Sequence, residues 1–296
     1  MVPERPLGRE STGLSIQYSI LPLNAIADAN TTIISGHKDE ALPMKLVIFA
    51  GGLGTRMREE TEFKPKPMVE IGGRPVLWHI MKIFSSQGVN EFIVLTGYKG
   101  ESIAKYFLDF EALTQNFTKT LGKGNLMIHG GAVENWTVTV LDTGVDTPTA
   151  GRLLMAKDII GDEPFFCTYG DGLADVNLGA LVKAHKKSQK IATLTAFQPR
   201  NRFGILSIKG SDVVSFKEKP QMSDWVNIGF FYFEPEIFDW CNESEMLEGE
   251  PLINLAASGE LAVNFHNGFW EPMDTFREYS ELNRLWNEGK APWKIW

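Results

Sequence analysis

The 296-residue sequence predicts an α/β fold in which helices flank a mostly parallel central sheet. From Lys45 onward, short apolar runs typical of buried strands alternate with amphipathic runs typical of helices, and this alternation is the signature of a parallel sheet. The composition is 43% hydrophobic and 22% charged, which is typical of a globular protein. A glycine-rich loop also follows the first strand directly, at the strand end where open α/β sheets bind their ligands.

The first half of the chain supplies the alternation. Pro75 begins the first clear helix and Gly88 ends it, in keeping with the preferences of helix termini. A polar stretch at 114–131 interrupts the pattern and resembles an insertion. The predicted strands are 45–50, 91–97, 135–144, 163–172 and 191–197, and the predicted helices are 75–88, 101–110, 151–159 and 178–188.

Beyond Pro199 the pattern becomes β-rich, which predicts an antiparallel or mixed arrangement there. We therefore expect one domain at 44–296 whose second part, from residue 200, is a smaller β-rich region. Residues 1–43 show no sustained periodicity and are predicted to be a flexible N-terminal extension. The predicted strands of the second part are 203–208, 212–220, 226–233 and 260–265, and the predicted helices are 251–258 and 276–288.

Charge and hydropathy exclude several classes of function. The net charge of −8 and the pI near 5.3 argue against a nucleic-acid partner, which would need a basic surface. No apolar run reaches the roughly 18 residues that span a bilayer, and the N-terminus lacks a signal-peptide pattern, so we predict no membrane association and a cytoplasmic protein. Cys167 and Cys241 lie far apart and are predicted to be reduced core residues. His79 is predicted to be a helix residue and not a metal ligand, because no partner stands at zinc-ligand spacing.

The segment FAGGLGTRM, 49–57, is the strongest local signal for chemistry. Its glycines let the backbone approach phosphate, its amides can form an anion-binding concavity, and Arg56 adds a charged fork. The P-loop pattern fails because no Lys-Ser or Lys-Thr follows Gly54, and the dinucleotide fingerprint fails because Met57 replaces its third glycine. A plain glycine-rich turn is the alternative.

The segment KPKPM follows ten residues later. Its prolines hold the backbone extended, so Lys64 and Lys66 are predicted to lie on a stiff strut. Either lysine alone would be an ordinary surface charge, but the pairing with the glycine loop predicts that Lys66 contacts phosphate.

The segment TYGDG places Asp171 in a turn after an apolar strand, where a metal-binding carboxylate is expected to project. Because magnesium usually takes one or two carboxylates completed by water and phosphate, a second aspartate is expected. Asp274, in the segment WEPMDT, is the candidate. Most turn aspartates are structural, and that is the alternative for each.

In this order, the motifs resemble the sugar nucleotidyltransferases, a family with a GT-A-like, Rossmann-related fold. The resemblance covers nearly all of 44–296, and the run through LWHIMK is similar to the cytidylyl-transferring branch. The chain departs at Ile228, where the family tends to have glycine. The matching segments are GGLGTR, KPKPMVEIGG, LWHIMK, GYKG, LDTG, TYGDG, RFG, EKP, GFW, PMDT and GKAPWK.

The resemblance implies an enzyme that uses CTP and α-D-glucose 1-phosphate, requires Mg²⁺, and forms a homo-oligomer. It also implies that 44–199 mainly binds nucleotide and that 200–296 mainly binds sugar phosphate. Two alternatives remain open: a related enzyme that uses dTTP, UTP or GTP, and a non-catalytic regulator of the same fold.

The resemblance further assigns roles to individual residues. Arg56, Lys66 and Asp171 are the implied catalytic residues, and Asp171 with Asp274 is the implied magnesium pair. The implied nucleotide site comprises Phe49, Ala50, Gly51, Gly52, Leu53, Gly54, Thr55, Arg56, Lys66, Thr147, Arg152 and Gly170. The implied sugar-phosphate site comprises Gly204, Glu218, Lys219, Asn227 and Gly229.

Overall fold

A computed structural model of the protein describes residues 45–52, 54, 64–122, 125–130 and 134–296. The predicted N-terminal extension lies outside the described residues. So do three residues of the predicted nucleotide site, Leu53, Thr55 and Arg56.

The described residues form strands and helices in the following order. The strands are β1 (Lys45–Ala50), β2 (Glu70–Ile71), β3 (Arg74–Pro75), β4 (Glu91–Thr96), β5 (Asn116–Thr120), β6 (Asn125–His129), β7 (Thr137–Asp142), β8 (Phe165–Tyr169), β9 (Gly172–Ala174), β10 (Ala192–Phe197), β11 (Ile205–Lys209), β12 (Asp212–Lys217), β13 (Val226–Phe233), β14 (Leu261–His266) and β15 (Trp270–Pro272). The helices are α1 (Val76–Ser85), α2 (Gly100–Leu108), α3 (Phe110–Thr114), α4 (Thr149–Met155), α5 (Lys157–Ile160), α6 (Leu178–Ser188), α7 (Glu250–Ala257) and α8 (Phe276–Asn287). Short 3₁₀ helices occur at Lys66–Met68 and Pro235–Trp240.

In the described part of the chain, seven strands form the central sheet in the order β14-β10-β13-β8-β1-β4-β7. Strands β7, β4, β1 and β8 are parallel to one another, and β14 is parallel to β10. Only β13 is reversed within this sheet, because it pairs antiparallel with both β10 and β8. The predicted α/β fold with a mostly parallel central sheet is therefore confirmed.

Both faces of the sheet are covered, and the sequence of β1 shows why. Successive strand side chains point to opposite faces. Leu46 and Ile48 accordingly pack into one apolar cluster with α1, while Val47 and Phe49 pack into another with α4. A strand that is buried on both faces reads as a continuous apolar run, which is the pattern that predicted β1.

The second half of the chain contributes directly to this sheet. β13 lies between β10 and β8, and β14 forms the edge beside β10. The mixed strand arrangement predicted beyond Pro199 is confirmed, although these two strands extend the central sheet instead of forming a separate layer. The hairpin of β11 and β12 pairs only with itself among the described strands.

Two predicted helices and the polar insertion differ in detail from the prediction. The helix predicted at 101–110 breaks at Asp109, whose backbone leaves the helical region, and continues as α3. The helix predicted at 151–159 likewise divides at Ala156 into α4 and α5. The polar stretch 114–131 contains the antiparallel hairpin of β5 and β6. Its strands are largely exposed, so the burial pattern on which strand prediction depends is absent.

An aromatic cluster joins α1 to α8 and to the C-terminal segment. It comprises Trp78, His79, Trp286, Trp293 and Trp296, with ring centroids 4.7–6.4 Å apart for the packed pairs. The His79 ring is fully buried. Its Nε2–H donates to the Ile71 carbonyl at 2.8 Å, and its Nδ1 accepts from Trp293 Nε1 at 3.4 Å. Burial lowers the pKa of His79 to about 4, so the ring is neutral.

None of the described helices combines the length and the apolar character that a bilayer crossing requires.

Candidate active site

A cleft with a volume of about 780 Å³ opens at the carboxyl ends of β1 and β8. Such a cavity is large enough for a small-molecule substrate. Its walls include the loop after β1, the Lys66 turn, the loop after β7 and the turn after β8. Loops that follow parallel strands converge at this edge of an α/β sheet, so segments distant in the chain face one cavity.

Three charged side chains meet in this cleft, and we call them the charge cluster: Lys66, Asp171 and Asp274. Lys66 Nζ lies 2.6 Å from Asp171 Oδ2 and 2.5 Å from Asp274 Oδ1. The Lys66 side chain is 12% exposed, whereas those of Asp171 and Asp274 are 34% and 28% exposed. The lysine therefore lies deeper than the carboxylates, which face the cavity.

A short ladder of strands brings the two aspartates together. Asp171 lies in the turn between β8 and β9, and Asp274 lies between β15 and α8. Strands β9 and β15 pair antiparallel, with Gly172 opposite Pro272, and Met273 N donates to Asp171 O at 2.9 Å. The carboxylates are thus positioned by backbone pairing that continues up to the site.

Lys66 begins a 3₁₀ helix, whereas the prolines predicted an extended strut. Pro65 is extended, with φ −68° and ψ 154°, but Pro67 lies within the 3₁₀ helix, which its fixed φ permits. Burial alone lowers the pKa of Lys66, but the charges and hydrogen bonds of Asp171 and Asp274 outweigh burial and raise it. Lys66 is therefore a protonated ammonium held between two carboxylates.

Arg152 bonds to the first residue of the glycine loop and to two neighbouring loops. Its guanidinium donates to Thr96 O at 2.8 Å, Thr143 Oγ1 at 2.6 Å and Val145 O at 3.1 Å, and reaches Gly51 O at 3.4 Å. A Cβ on Gly51 would collide with this guanidinium, so a side chain there would displace Arg152 from these hydrogen bonds. Arg152 is only 5% exposed, and burial lowers its pKa. Its hydrogen bonds join the loops after β1, β4 and β7.

A second polar group, Tyr169 and Glu248, also lines the cleft. The Tyr169 hydroxyl donates to Glu248 Oε1, and Thr149 Oγ1 donates to Glu248 Oε2 at 2.8 Å. Burial and the Glu248 carboxylate raise the pKa of Tyr169, so this hydroxyl stays protonated. The Tyr169 ring packs on Gly229, where a side chain would collide with it and where φ is +77°. Tyr169 and Glu248 therefore form a preorganised wall.

Sequence reasoning did not identify this wall. Tyr169 could have been found, because it lies one residue before Gly170 at the carboxyl end of a predicted strand. Glu248 and Thr149 carry no local signal, since one precedes α7 and the other begins α4, and they meet only in the tertiary structure. Further cleft residues outside the predicted set are Pro67, Val145, Asp146, Pro148 and Met246.

The structure separates the predicted site residues into two groups. Those that line the cleft are Phe49, Ala50, Gly51, Gly52, Gly54, Lys66, Thr147, Arg152, Gly170, Asp171, Asn227 and Asp274. Gly229 lies behind Tyr169. Ile228, where the chain departs from the family pattern, is buried in the apolar core and does not line the cleft.

The other described residues of the predicted site, Gly204, Glu218 and Lys219, lie at the open end of the β11–β12 hairpin. A Cβ on Gly204 would lie 3.1 Å from Glu218 Oε2. Lys219 Nζ is 3.5 Å from Glu218 Oε1, and both side chains are more than half exposed. Gly204, Glu218 and Lys219 therefore form a group of their own, outside the lining of the cleft.

The donor set of the charge cluster fits a hard divalent cation. The Lys66 ammonium acts as a stand-in cation, since one oxygen of each aspartate lies within 2.6 Å of it. Two carboxylates completed by water and phosphate are typical of magnesium sites. Among the described residues no group of three or more histidine, cysteine, aspartate or glutamate side chains could hold a metal.

The family model named Nucleotidyl transferase matches residues 45–288. The chain belongs to the nucleotidyl transferase family. The match includes the glycine loop, the charge cluster and the β11–β12 hairpin, so the whole described site lies within the family domain.

Relatives of this nucleotidyl transferase are similar over their full lengths. The chain is 48% identical to "Glucose-1-phosphate cytidylyltransferase" of Salmonella typhimurium over 256 residues, which cover 86% of this chain and 100% of that protein. It is also 48% identical to "Probable glucose-1-phosphate cytidylyltransferase" of Bacillus subtilis over 255 residues, with the same coverage. The resemblance to the sugar nucleotidyltransferases is thereby confirmed.

Solved structures support the same fold. The structure of a UDP-glucose pyrophosphorylase from Acinetobacter baumanii matches this nucleotidyl transferase with a TM-score of 0.61 and 17% identity, covering 86% of this chain and 96% of that chain. At this identity the likeness shows the fold alone.

Proposed function

We propose that this nucleotidyl transferase is a glucose-1-phosphate cytidylyltransferase, which converts CTP and α-D-glucose 1-phosphate into CDP-glucose and diphosphate. The observation that carries the proposal is the convergence of Lys66, Asp171 and Asp274 beside a glycine loop in a single cleft. The 48% identity to full-length relatives of that name supports CTP and glucose 1-phosphate as the substrate pair.

The reaction is an in-line displacement at the α-phosphorus of CTP. A phosphate oxygen of glucose 1-phosphate forms the new P–O bond, the bond between the α-phosphorus and the bridging oxygen breaks, and diphosphate leaves with the electron pair. The second pKa of a phosphate monoester is about 6, so the nucleophile is already mostly deprotonated at pH 7. No general base is needed, and the chain has to overcome repulsion between two anions.

The chain's own residues act by positioning and by charge neutralisation. The glycines at the start of the loop after β1, where Arg152 donates to Gly51 O, are suited to bringing backbone amides close to phosphate oxygens. Lys66 carries a full positive charge at the base of the cleft. We propose that it donates to nucleotide phosphate once substrates are bound, and that Arg56 and Lys219 add further positive charge.

Asp171 and Asp274 are the residues that would hold Mg²⁺, because both reach one point in the cleft. When bound, the ion neutralises charge on the nucleotide phosphates. Lys66 and the ion would compete for the same two carboxylates. The move of Lys66 from the aspartates to phosphate is therefore part of the proposed mechanism.

A matrix of nucleotides and sugar phosphates tests the proposal. Purified protein is incubated with CTP, dTTP, UTP or GTP, each against glucose 1-phosphate and mannose 1-phosphate, with and without Mg²⁺, and diphosphate release is measured. We expect release with CTP, glucose 1-phosphate and Mg²⁺ together. A clear preference for another nucleotide would replace the proposal by a related transferase, and binding without release would favour a regulator.

We also propose that the protein forms a homo-oligomer in the cytoplasm. The β11–β12 hairpin supports self-association because it exposes apolar side chains that a second copy could cover; these are Phe203, Ile205, Leu206, Ile208, Val213, Val214 and Phe216, which are 43–76% exposed. Light scattering after size-exclusion chromatography gives the molar mass. A mass of 33.1 kDa, that of a single chain, would contradict self-association.

A further inference from the structure

Glu278 links the two groups of predicted site residues. Its side chain is 8% exposed and uses both carboxylate oxygens. Oε2 accepts from the backbone of Asp274 at 2.8 Å and of Thr275 at 2.9 Å, and Oε1 accepts from Arg202 Nη2 at 2.6 Å. A buried carboxylate needs such partners, but these particular partners belong to different parts of the site.

Helix capping explains only one of these contacts. Thr275 and Glu278 form a capping box at the start of α8, in which the glutamate accepts from the backbone of the N-cap residue Thr275. The bond to Asp274 N lies one residue before the N-cap, and the bond to Arg202 crosses to another loop. The first of these leads toward the cleft, because Asp274 carries a carboxylate of the charge cluster and its Oδ1 contacts Lys66.

Arg202 connects Glu278 to the hairpin that carries the predicted sugar-phosphate residues. It lies in the segment before β11, where Asn201 N donates to Pro220 O at 2.8 Å. Pro220 directly follows Glu218 and Lys219. A path of contacts therefore runs from the β11–β12 hairpin through Arg202 and the Glu278 carboxylate to Asp274.

Arg202 also acts on a second carboxylate, that of Glu271. Burial and the Glu278 charge raise the pKa of the neighbouring Glu271 carboxyl, while Arg202 acts in the opposite direction. One guanidinium thus faces two carboxylates, although its own side chain is 65% exposed. A displacement of the hairpin would remove that positive charge from Glu278.

We propose that Glu278 is a positioning residue that orients Asp274 for metal binding. Through Arg202, it also couples this orientation to sugar-phosphate binding at the β11–β12 hairpin. This inference rests on the proposed function of the site. Groups that orient metal ligands typically contribute 10–100-fold to metal affinity. Coupling between two ligands is reciprocal and typically amounts to about 5–150-fold.

The test measures Mn²⁺ binding to the full chain by electron paramagnetic resonance, with the metal alone and with saturating glucose 1-phosphate. In the wild type we expect glucose 1-phosphate to tighten Mn²⁺ binding at least about fivefold. Arg202→Ala and Glu278→Gln should both abolish this tightening. Glutamine keeps one acceptor oxygen for the capping box but presents an amide to Arg202. Arg202→Lys should restore part of the coupling.

Glu278→Ala should in addition raise the dissociation constant of Mn²⁺ alone at least about tenfold. Arg284→Ala is the matched control, because Arg284 is an ion-paired arginine on the exposed face of the same helix, bonded to Glu281 and Glu288. It should leave both the affinity and the coupling unchanged. If Glu278→Ala does not fold, Arg202→Ala and Glu278→Gln still decide the question.

The absence of coupling in the wild type, or wild-type coupling in Arg202→Ala, would overturn the proposal. So would an unchanged Mn²⁺ affinity in a folded Glu278→Ala variant. These results are independent of turnover. An inactive wild type that shows the coupling would refute only the proposed function, and an active wild type without coupling would refute only the role of Glu278.

Discussion

The charge cluster in the cleft and the aromatic cluster around His79 each enclose a titratable side chain, which is charged in the first cluster and neutral in the second. Each holds a buried titratable group from the first half of the chain against residues from the C-terminal part. Lys66 keeps its proton because two carboxylates face it, whereas His79 stays neutral because its burial lowers its pKa more than the hydrogen bond to the Ile71 carbonyl raises it. Both clusters contact the region of α8, one before its first residue and the other near its last turn.

The difference lies in access to solvent. The aspartates of the charge cluster are about one-third exposed, so a ligand could replace the contacts of Lys66. His79 and Trp293 are fully buried. We infer that the charge cluster serves binding and chemistry and that the aromatic cluster serves stability. The following four predictions test this division, from the largest expected change in free energy to the smallest.

Trp293→Ala should lower the free energy of unfolding by about 3–5 kcal/mol, the usual cost of removing a buried aromatic side chain. It also leaves His79 Nδ1 without its donor. Chemical denaturation gives the stability, and kcat per folded molecule should not change. Trp225→Ala, at a tryptophan that is 42% exposed, is the control and should cost about 1 kcal/mol or less. A loss of kcat in Trp293→Ala without a loss of stability would reverse the assigned roles.

Acid should destabilise the fold through His79. The ring has a pKa of about 4 in the folded protein against an ordinary value of 6.5, so between these values the unfolded chain binds more protons. Stability is then fully present above pH 6.5 and is lost as the pH falls toward 4, by about 3 kcal/mol at 1.36 kcal/mol per pKa unit.

The measurement compares unfolding free energies at pH 7 and pH 4.5 in the wild type and in His79→Gln. The variant should show a flatter pH dependence. His129→Gln, on the exposed β6 strand, controls for the loss of an imidazole. If His79→Gln retains the full wild-type slope, the acid sensitivity comes from another group.

Lys66→Ala and Asp171→Asn should each lower kcat at least about a hundredfold, the scale of losing one preorganised electrostatic contact. This corresponds to about 2.7 kcal/mol. Lys64→Ala is the matched control from the same KPKP segment, because Lys64 lies at the surface and pairs with Glu70 at 3.3 Å. Steady-state kinetics with folded variants provide the test, and near-normal turnover of either variant would remove that residue from the mechanism.

Lys66→Met should tighten binding of Mn²⁺ about tenfold in the absence of nucleotide. The reason is that the ammonium and the metal compete for Asp171 and Asp274, and a hydrogen bond to a charged group contributes about 1.5–3 kcal/mol. Isothermal titration calorimetry gives the dissociation constant. Unchanged or weaker binding would show that Lys66 does not occupy the metal position.

Much of the fold could be predicted from local patterns. The apolar runs of β1, β4 and β8 identified strands because these strands are buried on both faces. The β5–β6 hairpin could not be identified in this way, since nearly all of its side chains are exposed. The break at Asp109 also escaped prediction, because the apolar pattern continues across it.

The candidate site divides in the same manner. The glycine loop, Lys66 and Asp171 are predictable because each lies within a short motif that has its own physical logic. Asp274 could be predicted only because a magnesium site was expected to need a second carboxylate besides Asp171. The sequence indicates one contact of Glu278, because Thr275-x-x-Glu278 is a capping-box pattern. No local pattern indicates its contact with Arg202.

By itself, the sequence determined the α/β class, the strand that precedes the glycine loop, and the kinds of residue that could neutralise phosphate. Only the tertiary structure decided that Lys66 meets Asp171 and Asp274, which lie 105 and 208 positions away along the chain. The physical reason is that strand and helix periodicity reflects which side of an element is buried. Contacts between distant segments depend instead on strand order and on the β9–β15 pairing, which no local pattern encodes.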